Sequence, residues 1–266
     1  MKNILQVSMR HLLCVIFLTF QLSTVNAVDK PAKEFYQITI YHFNTTAQEK
    51  VIENYLEKAF LPALHRMGLR NVGIFKAMAN DTSQNKLLYV FIPVKSLDVI
   101  TKIPAKLNGD NKYLSAGEEY LQAVYSSPPF LRKEIIITEA FPLAAKMKLP
   151  QLNSSKKDRV YELRSYESAT EKIFANKVKM FNEGDEIGLF NRLNFNAVFY
   201  SSVIAGANMP NLMYMTCFEN MADRDKHWKA FVDDSFWKKL SSLPEYQKNV
   251  SHIDITFLQP VEYSDF

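Results

Sequence analysis

The chain has 266 residues, 47% of them hydrophobic and 13% aromatic, with 32 lysines and arginines against 28 acidic residues. This is an ordinary globular composition, enough for one large or two small domains. Only 7 glycines are present, which all but excludes glycine-rich phosphate loops, and the basic residues form no clustered run longer than a pair such as Lys156-Lys157, so nucleic acid is not an expected partner.

At the N-terminus, Lys2 and Arg10 precede an apolar run, Leu12–Phe20, and a polar stretch ends in Val25-Asn26-Ala27. That order predicts a secretory signal peptide, residues 1–27, cleaved after Ala27, and hence a secreted or periplasmic protein. The alternative, an uncleaved anchor, is disfavoured because the apolar run is far short of the ~20 residues a spanning helix needs, so no stable membrane insertion is expected after cleavage. Cleavage removes Lys2, Arg10 and no acidic residue, leaving 30 basic against 28 acidic side chains. It also removes Cys14, so Cys217 has no disulfide partner and, in the apolar run LMYMTCF, reads as a buried thiol.

A first unit, 28–143, begins with an alternating strand at 35–43. A helix follows from a Thr46…Glu49 capping box, broken or restarted at Pro62 and stopped at Gly68. Strands are predicted at 70–77 and 86–93, then two helical pieces, the second opened by Ser115…Glu118, and a strand at 132–141. Residues 144–158 lack periodicity and read as a linker. The second unit, 159–266, repeats the order. Strand 159–166 is followed by a Ser168…Glu171 capping box and a helix at 169–181. Strands at 195–203 and 211–218 come next, then helices across 221–241 capped by Asn220, and a last strand at 250–259. Glu183-Gly184-Asp185-Glu186 reads by default as a solvated acidic turn, with a place at the border of a cleft as the alternative. Trp228 and Phe231, with Phe236, Trp237 and Leu240, form an apolar helix face suited to packing on a sheet.

Two βαββαβ units predict an α+β protein of two tandem ferredoxin-like repeats. Each would leave one sheet face bare, so the repeats should pack sheet to sheet as an intramolecular α/β barrel. On the strand RVYELRSYES, Glu162, Arg164 and Tyr166 share one face, assigned here to the side away from the helices. By the same parity His252 of the last strand joins them, while Ile253, Ile255 and Phe257 face the helices. These four residues are the candidate ligand-binding set, lining a polar cleft between the two sheets. Arg164 would hold an anionic group, with Glu162 or His252 as proton carrier. The competing reading is a Glu–Arg pair that only satisfies buried polar groups. His42 is placed on the helix side and His227 on an exposed turn. No histidine pair has metal-ligand spacing and no nucleophile elbow is present, so neither a metal nor a cofactor is expected.

The stretches VYELRSY (160–166), KMFNEGDEIGLFNRLNFNAVFY (179–200), MPNLMYMTCFENMADRDKHWKAFVDDSFWKKL (209–240) and NVSHIDITFLQP (249–260) resemble a NIPSNAP domain, a branch of the dimeric α/β-barrel superfamily. The combination Arg224-Asp225-x-x-Trp228-x-x-Phe231 with Trp237 and Leu240 is the most specific part. The first half is more divergent: Gln37 and Thr39 stand where the second has Glu162 and Arg164. The resemblance implies a ferredoxin-like fold able to hold a small molecule. Superfamily cousins include cofactor-free and haem-degrading monooxygenases, while the mitochondrial role of animal relatives does not fit a secretory signal. The expectation is therefore an exported small-molecule-binding or accessory module, possible as a homo-oligomer, with a monooxygenase- or isomerase-like enzyme, cofactor-free or haem-dependent, as the alternative.

Overall fold

The computed structural model describes residues 32–266, so the proposed signal peptide lies outside the described residues. The first half opens with β1 (Phe35–Phe43), whose alternating β-branched and aromatic residues suit a strand buried on both faces. Helix α1 (Thr46–Tyr55) is capped by Thr45, which accepts from the Gln48 amide, one residue ahead of the expected box. Ahead of Pro62 the backbone widens into a π-helical turn, Leu56–Phe60. Pro62 thereby falls in the first turn of a new helix, α2 (Leu61–Arg66), where its missing N–H is no loss. Gly68, at φ +81°, ends it in the left-handed region. Strands β2 (Gly73–Ala77) and β3 (Lys86–Val94), helices α3 (Leu97–Asn108), α4 (Asn111–Ala116) and α5 (Glu118–Leu121), and strand β4 (Arg132–Ala140) complete this half. The expected box at Ser115 is not used: Asp110 caps α4.

The predicted linker is held to its surroundings. Ala145 O accepts from the Glu34 amide, Lys148 N donates to Val198 O, and Met147 and Leu152 pack against the barrel core. The second half runs β5 (Val160–Glu167), α6 (Glu171–Asn182), α7 (Glu186–Arg192), β6 (Phe199–Ala205), β7 (Asn211–Phe218), α8 (Met221–Asp233), α9 (Ser235–Ser242) and β8 (His252–Pro260). Thr170, not Ser168, caps α6, while the Ser168 hydroxyl donates to Asn249 O. Asn220 caps α8 as expected.

The eight strands close into an antiparallel barrel in the order β1-β3-β2-β8-β5-β7-β6-β4. The halves are hydrogen-bonded along two seams, Phe75–Ala77 with Leu258–Pro260 and Ile137–Ala140 with Ser201–Ala205. The fold is therefore α+β with tandem ferredoxin-like repeats, and closure leaves the bare sheet faces turned inward. That interior is filled by rings from both halves: Phe91 lies 5.1 Å from Tyr36 and 4.9 Å from Phe199, and Phe75 lies 4.9 Å from Tyr161. Cys217 joins it, fully buried, with its thiol donating to Asn196 O, and burial pushes the thiol pKa well up. The helices lie outside, each set over its own half's outer strand face.

Candidate functional site

The strand face of the candidate residues is the reverse of the expected one. Tyr161 and Leu163 belong to the barrel interior, whereas Glu162, Arg164 and Tyr166 lie beneath the helices of the second half. The interior is filled mainly by apolar rings and aliphatic chains from both halves, with the buried hydroxyls of Thr138 and Ser201 among them. The helix side, by contrast, supplies Arg224 and Trp228 as partners for a buried carboxylate. A polar cleft between the sheets lined by Glu162, Arg164 and Tyr166 is accordingly not what the fold builds. Parity also misassigned His42, which pairs with Arg132 across the ladder, its Nε2 2.8 Å from Glu134. His227 is half-buried rather than on an exposed turn, and its ring packs against Phe195 and Phe218.

Glu162 is 0% exposed and saturated with donors. Arg164 Nε donates to Oε1 at 2.6 Å, and Arg224 donates through Nε to Oε2 at 2.9 Å and through Nη2 to Oε1 at 3.0 Å. Trp228 Nε1 adds a bond to Oε2 at 2.7 Å. A carboxylate so held, with four donor contacts from three side chains, organises its neighbours. Its partner Arg164 is different. Its guanidinium carbon lies over the Trp228 ring, 3.7 Å from the centroid, and Nη1 donates to the Tyr166 hydroxyl at 2.9 Å. Burial works against its charge, but the Tyr214 and Tyr166 phenols and Glu162 outweigh it and raise its pKa above the ordinary value. Tyr166 in turn meets Tyr214, hydroxyl to hydroxyl at 2.8 Å. The Tyr214 phenol is raised well above its usual range by burial.

These groups line a cavity of about 470 Å³ between β5 and the α8–α9 pair, within the range of small-molecule sites. Its walls are Phe190, Phe231, Trp228 and Trp237, and its far side carries a second buried ion pair, Lys177 Nζ to Glu186 Oε2 at 2.9 Å. Lys177 sits on the buried face of α6 with Met180 and Phe181, its ammonium 4.7 Å from the Phe181 ring. Glu186 arrives through the tight turn predicted to be a solvated loop. Gly184 comes so close to Met180 O that a Cβ there would sit 2.5 Å from it, and Asp185 takes φ +61°. That turn starts α7 at Glu186 and points its side chain inward. Burial raises the Glu186 pKa although Lys177 opposes it.

Among the four residues proposed from sequence, three are thus brought together and His252 is not. It is exposed at the start of β8, opposite Glu167 and 3.1 Å from Asp254. Its parity was assigned correctly: Ile253, which lines the cavity, lies on the opposite face. The cavity residues absent from the candidate set are Lys177, Tyr214, Arg224 and Glu186, the last of them weighed only as part of an acidic turn bordering the cleft. Arg224 stood in the most specific stretch of the resemblance, and Lys177 was visible as a charge amid the helix's apolar positions.

Residues 161–265 match the NIPSNAP family model. No curated protein matches the chain. Among solved structures, the chain is similar to a proposed monooxygenase from Lactobacillus acidophilus, at 10% identity and a TM-score of 0.57, covering 86% of this chain and 94% of that one. A second proposed monooxygenase, from Fusobacterium nucleatum, aligns at 9% identity and TM-score 0.55 over 87% of this chain and 94% of its own. A NIPSNAP family protein from Agrobacterium tumefaciens aligns at 16% identity and TM-score 0.37, over 44% of this chain and 98% of that one. The two barrel-wide likenesses extend to the fold alone. Every residue named in the cavity falls inside the segment, 161–265, that matches the NIPSNAP family model.

Proposed function

We infer that the protein is a binding module for a small organic anion with a planar apolar body, held in the cavity beneath α8 and α9. The observation that carries this is the charge of the buried set. The buried cations Arg164 and Lys177 face Glu162 and Glu186 among aromatic walls, and the partly exposed Arg224 pairs with both Glu162 and Asp225 at the edge. Both arginines pair with Glu162, but Arg164 is the more buried of the two and lies over the Trp228 ring inside the cavity, which makes it the cation to receive a ligand oxyanion.

Both tryptophans of the chain line this cavity, which makes the test direct. Titration with a series of aromatic carboxylates should change the intrinsic fluorescence saturably. Arg164→Gln, which leaves Glu162 held by Arg224 and Trp228, should abolish that response in a folded protein. An unsaturable signal, or equal saturation in the variant, refutes the reading. An oxygenase- or isomerase-like activity is the second reading, favoured by the Tyr166–Tyr214 phenol pair beside Arg164. Oxygen uptake or turnover of a bound carboxylate would support it, and a merely retained ligand would not.

The pattern of Lys2, Arg10, the apolar run and Ala27 supports export with removal of 1–27, to be tested by the N-terminus of protein recovered outside the cytoplasm. No helix among the described residues is long and apolar enough to cross a membrane. The exposed Ile135, Ile253 and Ile255 on β4 and β8 favour self-association, which native mass measurement would detect.

A further inference from the structure

The tandem repeat allows one half to be read against the other at the barrel rim. In the second half, Glu167 on β5 lies directly across the ladder from His252 on β8, and Asp254 follows two residues along on the same face. Their ligand atoms, one from each side chain, lie within 4.8 Å of one another. Ser251 N donates to Glu167 O at 2.8 Å, which ties down the strand end that carries His252. Among the described residues, neither Glu167 nor Asp254 forms an ion pair with a lysine or arginine; Asp254 meets only the His252 Nε2, at 3.1 Å.

The corresponding ladder of the first half pairs β1 with β4. There the position of Glu167 is His42, that of His252 is Arg132, and that of Asp254 is Glu134. The same three rim positions thus carry one carboxylate, an imidazole paired with it and an arginine in one half. In the other they carry two carboxylates, an imidazole and no fixed cation. Two carboxylates held close on one strand face repel each other unless a cation neutralises them. An imidazole nitrogen beside two carboxylate oxygens is a donor set suited to a divalent first-row transition ion rather than to a lysine or arginine.

We propose that Glu167, His252 and Asp254 form a binding site for one divalent transition-metal ion at the barrel rim. Metal–ligand bonds of about 2.0–2.2 Å require the three donor atoms to draw closer than they stand. The exposed rotamers of His252 and Asp254 leave room for that movement. Three protein ligands leave the remaining coordination positions to water or to an incoming ligand. The site departs from the sequence expectation of no metal because its ligands are split between two strands, so no linear spacing marks them. It is independent of the cavity beneath α8 and α9, with which it shares no residue.

The test is calorimetric titration of the full chain with Zn²⁺ alone, alongside His252→Arg, which copies the first half's arrangement. The wild type should bind one equivalent and gain thermal stability with it. His252→Arg should keep the metal-free unfolding midpoint and lose affinity by at least the roughly 10–100-fold that even outer partners of metal ligands carry. Absence of binding by the wild type overturns the site. So does equal binding by the variant, which would move the ion to the carboxylate pairs of His42, His65 or His227.

Discussion

Lys177 occupies a position where an amphipathic helix would ordinarily put an apolar side chain, and its only carboxylate partner among the described residues is Glu186. Desolvating two charges is repaid when the pair is intact and its surroundings are polarisable, as the neighbouring rings are here. Removing one member is another matter. Lys177→Met leaves Glu186 buried without its cation and should cost about 3–5 kcal/mol near neutral pH. The Glu186 pKa is already raised in the fold, so its carboxyl binds a proton more tightly folded than unfolded. Such a group favours the fold most fully below the ordinary carboxylate range and loses that contribution as pH rises through the folded pKa. The Lys177→Met deficit should therefore shrink on acidification, and Lys177→Met/Glu186→Gln should recover most of it and flatten the pH dependence. Urea unfolding of the two variants at acid and neutral pH measures both effects, and a double variant as unstable as the single one would contradict the argument.

At the scale of elements, the cavity depends on a break between two helices. Asp234 takes an extended conformation, ends α8 and caps α9, its Oδ1 accepting from the Phe236 and Trp237 amides at 2.8 and 3.2 Å. The cap sets where α9 starts and so where Trp237 meets the cavity. Asp234→Ala should cost about 0.5–2 kcal/mol. It should also weaken the fluorescence response to aromatic carboxylates, since one wall of the site loosens. A stability loss with an unchanged ligand response would show that Trp237 is placed by packing on Phe231 alone, at 4.5 Å between ring centroids. The π-helical turn before Pro62 shows the same principle in the first half, where one local device re-aims a whole helix.

For the whole molecule, the barrel interior is one core shared by two repeats. Phe91 of the first half is wedged against Phe199 of the second, so neither sheet face is dry without the other. Phe91→Ala should cost about 3–5 kcal/mol. Because both tryptophans lie in the second half, their fluorescence reports that half alone, whereas far-UV circular dichroism reports both. The two signals should give coincident denaturant transitions in the wild type and in Phe91→Ala, as one cooperative unit requires. Separate transitions would mean that the halves unfold independently.

What could be read from the residues alone was whatever local pattern encodes: the alternation of strands, the caps of α1, α6 and α8 within a residue or two, the repeated βαββαβ order, the closure of two bare sheets and the resemblance carried by the second half. Alternation also placed Glu162, Arg164 and Tyr166 on one face, but alternation reports that a strand has two sides and is silent on what covers each. The tertiary structure decided that. It brought Arg224 and Trp228 from a distant helix onto Glu162, making the helix-covered face the polar one. It turned Glu186 inward to meet Lys177, and it set His252 beside Glu167 rather than Arg164. A buried charge is tolerable only where its partners converge, and that convergence is a property of the closed barrel, which no single stretch of the chain contains.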